Sequence, residues 1–282
     1  MNFAICHLSV VPVRNSHSDK SEQLTQLLFG EIVEILGKKG KAWAKIRCTW
    51  DNTIGWVSMR QIKLITQSEY EVFSENFAYS LDLISPAMSN NHHLPITIGA
   101  RLPNFDGMRF SLENDVYTFS GQAVFPADMR PNAELVLKIA RRYLYAPYQW
   151  GGRSPLGIDA AGLTQLIFEM VGVSLHRSPD QQVHQGETVD FVEQSQPGDL
   201  AFFENKANNI AHVGVIMPEG QIIHASGQVR IDKIDHYGIF NEETGKYTHR
   251  LRVCKRVMES QPLPRKPRMT QVENNPQQVE LF

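Results

Sequence analysis

Apolar and polar positions alternate with the two-residue period of half-buried strands in three early stretches: EIVEIL (Glu31–Leu36), WAKIRC (Trp43–Cys48) and GWVSMRQIKLI (Gly55–Ile65). GKKGK at 37–41 and WDNTIG at 50–55 supply turn residues between them. About five short strands at this spacing predict a small β-barrel over residues 1–66. From 67 to 128 the pattern is weaker, although PITIGARLPNF and MRFSLENDVYTFSG still alternate. The period then changes. Leu135, Ile139 and Tyr143 recur at helical spacing behind Asn132, a helix-capping residue type. AGLTQLIFEMVGV reads as a second helix carrying Leu163, Ile167 and Met170 on one face. Strand-like runs follow at 198–205, 212–218, 221–226, 229–235 and 249–257. Helices followed by meandering strands predict an α+β class, with helices packed on an antiparallel sheet.

Composition adds boundaries rather than detail. The chain has 282 residues, 42% hydrophobic, with a formal net charge of -2. Charge this close to zero gives no electrostatic case for nucleic acid or an anionic membrane as partner. Cys6, Cys48 and Cys254 are far apart and lie in strand-like runs, so they predict buried structural thiols rather than disulfides or a metal site. The first residues, MNFAICHLSVVPVRN, read as a poor signal peptide, with a mature secreted chain whose leader has been removed as the alternative, and no run reaches the ~18 apolar residues of a membrane helix. A cytoplasmic location is expected. Residues 258–282, rich in Pro, Gln, Asn and charge, predict a disordered tail.

The candidate chemistry lies in three fragments, in this order: YQWGGRSPLGIDAAGL (Tyr148–Leu163), IAHVGVI (Ile210–Ile216) and IIHASG (Ile222–Gly227). A helix starting just after Asp159 presents unpaired N–H groups and a dipole that favours negative charge. A thiol there would be pushed toward thiolate, and a histidine on a neighbouring strand could take its proton. His212 and His224 are separated by a plausible hairpin with its turn at Pro218–Gly220, which can set both rings on one face. Taken singly, each histidine is more often a structural residue than a catalyst, and Asp159 alone is an N-cap.

With QPGDLAFF between them, these fragments resemble the NlpC/P60 family of papain-like cell-wall peptidases over residues 129–257. The N-terminal segment, with LLFGE, W-x-K-I and D-x-x-x-G-W-V, resembles a bacterial Src-homology-three-like barrel. Members of the family often carry a second such barrel, which would occupy 67–128. The resemblance implies a nucleophile after Asp159, a base at His212 and an orienting residue at His224. It also implies substrate contacts at Tyr148, Asp159, Ala161 and Ser178, with Asp159 helping to hold a free α-amine. Where the family has Asp-Cys-Ser-Gly, this chain has Asp159-Ala160-Ala161-Gly162, and Arg177 is followed by Ser178 and Pro179. A methyl group cannot attack a carbonyl, so the expectation is an inactive peptidase homologue that binds murein peptides. The alternatives are an engineered Cys-to-Ala form, an active hydrolase using Ser154, Thr164 or Ser178, and a plain scaffold. Family members similar to this chain act on the γ-D-Glu–diamino acid bond without metal or organic cofactor. The terminal QVELF resembles sliding-clamp-binding peptides through Gln278, Leu281 and Phe282, although a pattern this short arises readily by chance.

Overall fold

The computed structural model describes residues 2–90, 92–112 and 115–258. The expected disordered tail and its clamp-like peptide, with Gln278, Leu281 and Phe282, lie outside the described residues. No helix of the described residues is long and apolar enough to cross a membrane.

Seven strands build the first sheet: β1 (Phe3–Cys6), β2 (Val10–Arg14), β3 (Gln23–Leu28), β4 (Ile32–Lys39), β5 (Trp43–Cys48), β6 (Ile54–Ser58) and β7 (Ile62–Ile65). They pair antiparallel in the order β3-β2-β6-β5-β4-β1-β7 around an apolar centre that includes Val11, Val13, Ile46 and Val57. The alternating run 55–65 does not form one strand. It breaks after Ser58, where the N–H of Gln61 turns back to the Ser58 carbonyl.

Helix α1 (Gln67–Glu75) follows, which the alternation did not reveal. Its start is a capping box: Thr66 accepts from the Glu69 N–H, and the Glu69 carboxylate accepts from the Thr66 N–H. The next strands are β8 (Phe77–Ser80), β9 (Ile84–Met88), β10 (His93–Thr97), β11 (Arg101–Pro103), β12 (Arg109–Leu112), β13 (Asp115–Phe119) and β14 (Ala123–Val124). They make a four-stranded sheet, β10-β9-β13-β12, and a three-stranded one, β11-β8-β14. Phe29 of the first sheet meets Phe110 and Tyr117 here, so the two parts share apolar packing.

Helix α2 (Ala133–Arg142) is capped by Asn132, whose side chain accepts from the Leu135 N–H. The short strands β15 (Arg153–Ser154) and β16 (Gly157–Ile158) lead into α3 (Ala160–Glu169), and α4 (Pro179–Gln182) follows. Every residue of α3 is buried, consistent with a mainly apolar helix enclosed on all sides. The last strands are β17 (Glu187–Val189), β18 (Leu200–Glu204), β19 (Ile210–Met217), β20 (Gln221–Ser226), β21 (Gln228–Ile234), β22 (Gly238–Asn241) and β23 (Lys246–Arg256). Their order is β17-β23-β18-β19-β20-β21-β22, and β22 pairs back onto the long β23. The six strands β18–β23 therefore close on themselves. Ala201, Phe203, Ile216, Ile222, Ile234, Ile239 and Cys254 fill one face, and Leu200, Phe202, Val213 and Val215 of the other face pack in the core that holds α3. Cys6, Cys48 and Cys254 are buried free thiols, and burial pushes that of Cys254 up to about 12.

The elements meet at a buried charge network. Arg153 is fully buried and donates to both oxygens of Glu31 at 2.9 and 3.0 Å and to Glu169 at 2.9 Å. Arg101 donates to the other oxygen of Glu169 at 2.6 Å. Two guanidinium groups and two carboxylates thus tie the first sheet, the middle strands, β15 and α3 together. Gly151 adds a close approach: its φ is +72°, and a Cβ there would lie 2.4 Å from the Gln23 carbonyl oxygen.

Candidate active site

Helix α3 begins with a fully engaged cap. Asp159 accepts from the Gly162 N–H at 2.6 Å, the Gly151 N–H at 2.8 Å, and Arg177 at 2.7 and 3.0 Å. These donors fill the roughly four lone-pair sites of a carboxylate. Arg177 also reaches Thr25 of the first sheet at 2.9 Å. Ala160 is the first residue of the helix, where the dipole would favour an anion.

His212 and His224 come together through strand register. Gly214 of β19 pairs with His224 of β20, which puts His212 and His224 diagonally on one face. The glycine makes this possible, because a Cβ at 214 would lie 2.9 Å from the His224 Cβ. His224 Nε2 meets Asp232 Oδ2 at 3.0 Å, and His212 Nε2 meets His224 Nδ1 at 2.9 Å. The carboxylate accepts, so the His224 proton sits on Nε2 and its Nδ1 accepts from His212. That leaves His212 Nδ1 as the basic nitrogen. Asp232 is held by two bonds from Arg230, at 2.7 and 2.9 Å. Burial alone would raise the Asp232 pKa, but the bonds from His224 and Arg230 outweigh it and hold the group below its usual range.

Sequence reading missed two members of this cluster, Asp232 and His249. The signal for Asp232 was strand alternation: Ile222 pairs with Asp232, so the carboxylate shares the face of His224. His249, on β23, stacks on His212 with ring centroids 4.1 Å apart. Ile239 pairs with His249, so this ring too belongs to the face filled by the barrel's apolar plug. A ring nitrogen of each of the three histidines lies within 4.8 Å of the others.

Two cavities meet at His212. One, of about 760 Å³, is lined by Ala160, Ala161, Asp159, Ser178, Tyr148 and His212, with Glu22 and Asp51 from the first sheet. The other, of about 1050 Å³, includes Tyr148, His212 and His249 in its wall. The structure therefore brings all seven singled-out residues close together, with His224 behind His212. Of the alternative hydroxyls, Ser154 and Thr164 are buried, and that of Thr164 is engaged by Ala161 and Gln182. Ser178 lines the smaller cavity.

Burial, reinforced by the neighbouring rings, holds His212 below the ordinary 6.5, and burial lowers His249 to about 4. A folded-state pKa below the unfolded value contributes stability that is complete above pH ~6.5 and is lost as pH falls through the folded value. The melting temperature should therefore drop between pH 6.5 and pH 4, and His249→Gln should shallow that drop. A thermal melt series against pH checks this; identical slopes would refute it.

Residues 145–248 match the NlpC/P60 family and residues 13–62 match the bacterial dipeptidyl-peptidase Sh3 domain. The chain is 31% identical over 225 residues to the gamma-D-glutamyl-L-lysine dipeptidyl-peptidase of Bacillus subtilis, covering 71% of each chain. It is 41% identical over 100 residues to the probable endopeptidase p60 of Listeria grayi, but spans only 19% of that protein's length. The crystal structure of an NlpC/P60 family protein from Bacillus cereus superposes with a TM-score of 0.77 at 21% identity, covering 91% of this chain and 99% of that one. The chain therefore belongs to the NlpC/P60 family and joins a bacterial SH3-type barrel to an NlpC/P60 domain.

Proposed function

We propose that this protein is a non-catalytic member of its family that binds murein-derived peptides containing a γ-D-Glu–diamino acid unit. The observation that carries the reading is Ala160 at the start of α3, on a cavity wall shared with His212, whose base relay is otherwise assembled. Without a sulfur there, the relay has nothing to activate. The reading divides the chain into a barrel at 1–66, a second small β unit at 67–128, the peptide-binding domain at 129–257 and a tail. It takes the cytoplasm as the place of action and murein recycling as the setting.

The barrel's part is to close the cavity. Glu22 accepts from the Trp150 indole at 2.9 Å, and Gln23 donates to the Trp150 carbonyl at 3.2 Å. A free peptide amine would meet the carboxylates of Glu22 and Asp180 on this wall. For Asp159 to hold that amine, it would have to release Arg177. Tyr148, Ala161 and Ser178 complete the proposed peptide contacts.

Calorimetric titration with L-Ala-γ-D-Glu-diaminopimelate, with mass spectrometry of the mixture, tests the proposal. Saturable binding with the peptide intact is expected. Cleavage products, or no binding at all, would refute it.

A further inference from the structure

We propose that His212, His224 and His249 form a binding site for one divalent transition-metal ion of the zinc class at the mouth of the closed β18–β23 barrel. The inference goes beyond peptide binding and does not require it. A nitrogen from each ring lies within 4.8 Å of the others. A four-coordinate zinc-type ion, with bonds near 2.0–2.1 Å, needs its donors about 3.3 Å apart. The His212–His224 pair, at 2.9 Å, needs to part by only a few tenths of an ångström to reach that spacing. His249 is half-buried and stacked on His212, so its ring has to turn as well as close the remaining distance. Its Nδ1 is engaged by the Thr248 hydroxyl at 2.9 Å, which leaves Nε2 for the metal.

The surroundings of the three rings also suit a metal. His224 Nε2 donates to Asp232, which Arg230 in turn fixes. A carboxylate behind a ligating imidazole sets its tautomer and raises its basicity. Imidazole donors suit zinc, copper and nickel over magnesium or calcium. On binding, the His212 proton moves from Nε2 to Nδ1, and the metal takes its place between His212 and His224. His212 and His249 line the larger cavity, so the fourth position opens toward solvent or an oxygen-bearing ligand.

The full chain, stripped with chelator and titrated with Zn²⁺ in the absence of peptide, should bind one equivalent. Co²⁺ in its place should give the visible bands of a four-coordinate ion. His249→Ala and His224→Ala should each weaken binding at least tenfold while melting as folded proteins in chelator. Asp232→Asn should weaken it roughly 10–100-fold. The exposed His184→Ala should leave it unchanged. No bound equivalent, or equal affinity in all of these variants, would overturn the site. Peptide binding is read separately, so either proposal can fail alone.

Discussion

Ala160→Cys should turn the protein into a working peptidase on γ-D-Glu–diamino acid peptides. The substitution puts a thiol at the first position of α3, where unpaired N–H groups and the helix dipole stabilise a thiolate. Ala160 and His212 line the same cavity, and the unprotonated Nδ1 of His212 is left free by the bond from its Nε2 to His224. A residual site without its nucleophile retains only a small part of the full rate. Restoring the sulfur should therefore raise turnover roughly 10³-fold or more above the unaltered chain. Adding His212→Ala to the Ala160→Cys chain should remove the gain. Peptide cleavage followed by mass spectrometry gives the answer. A folded, peptide-binding Ala160→Cys protein that remains inert would show that the altered Ala161 or Ser178 also disables the site.

The second large effect concerns stability. Glu31→Gln should destabilise the protein by about 3–5 kcal/mol, because it leaves two buried guanidinium groups, Arg153 and Arg101, sharing the single carboxylate of Glu169. For a chain of this size that corresponds to a fall in melting temperature of roughly 10 °C. Arg153→Met should fall by a similar amount, because it exposes Glu31 and Glu169 to each other in the interior. Combining Arg153→Met with Glu31→Leu removes both partners and leaves the Arg101–Glu169 pair, 2.6 Å apart, intact. That double variant should be markedly more stable than either single one, since a hydrophobic replacement of a buried pair is often near neutral. Additive losses in the double variant would refute the network as the cause.

The residues that could be read in the sequence are those held by short-range patterns. Asp159 capping α3, Asn132 capping α2 and the β19–β20 hairpin that pairs Gly214 with His224 all depend on contacts a few residues apart. The helix at 67–75 is legible in the same sense, since Thr66 and Glu69 have capping-box spacing, but it is short and lies between alternating strands that mask its period. Arg153 reaches Glu31 across 122 positions, and no local period encodes such a partner. His249 meets His212 because β23 closes the barrel, and that closure follows from the double pairing of one long strand rather than from any motif. The site's outer members are thus a product of topology.

The burial of the three native thiols has a practical consequence. Cys6, Cys48 and Cys254 are each held in the protonated, inert form by burial. An Ala160→Cys protein would consequently offer alkylating reagents a single nucleophilic sulfur. Stoichiometric capture of iodoacetamide or a maleimide dye would then report on that position alone, and shielding by bound peptide would show where the ligand lies without any crystal.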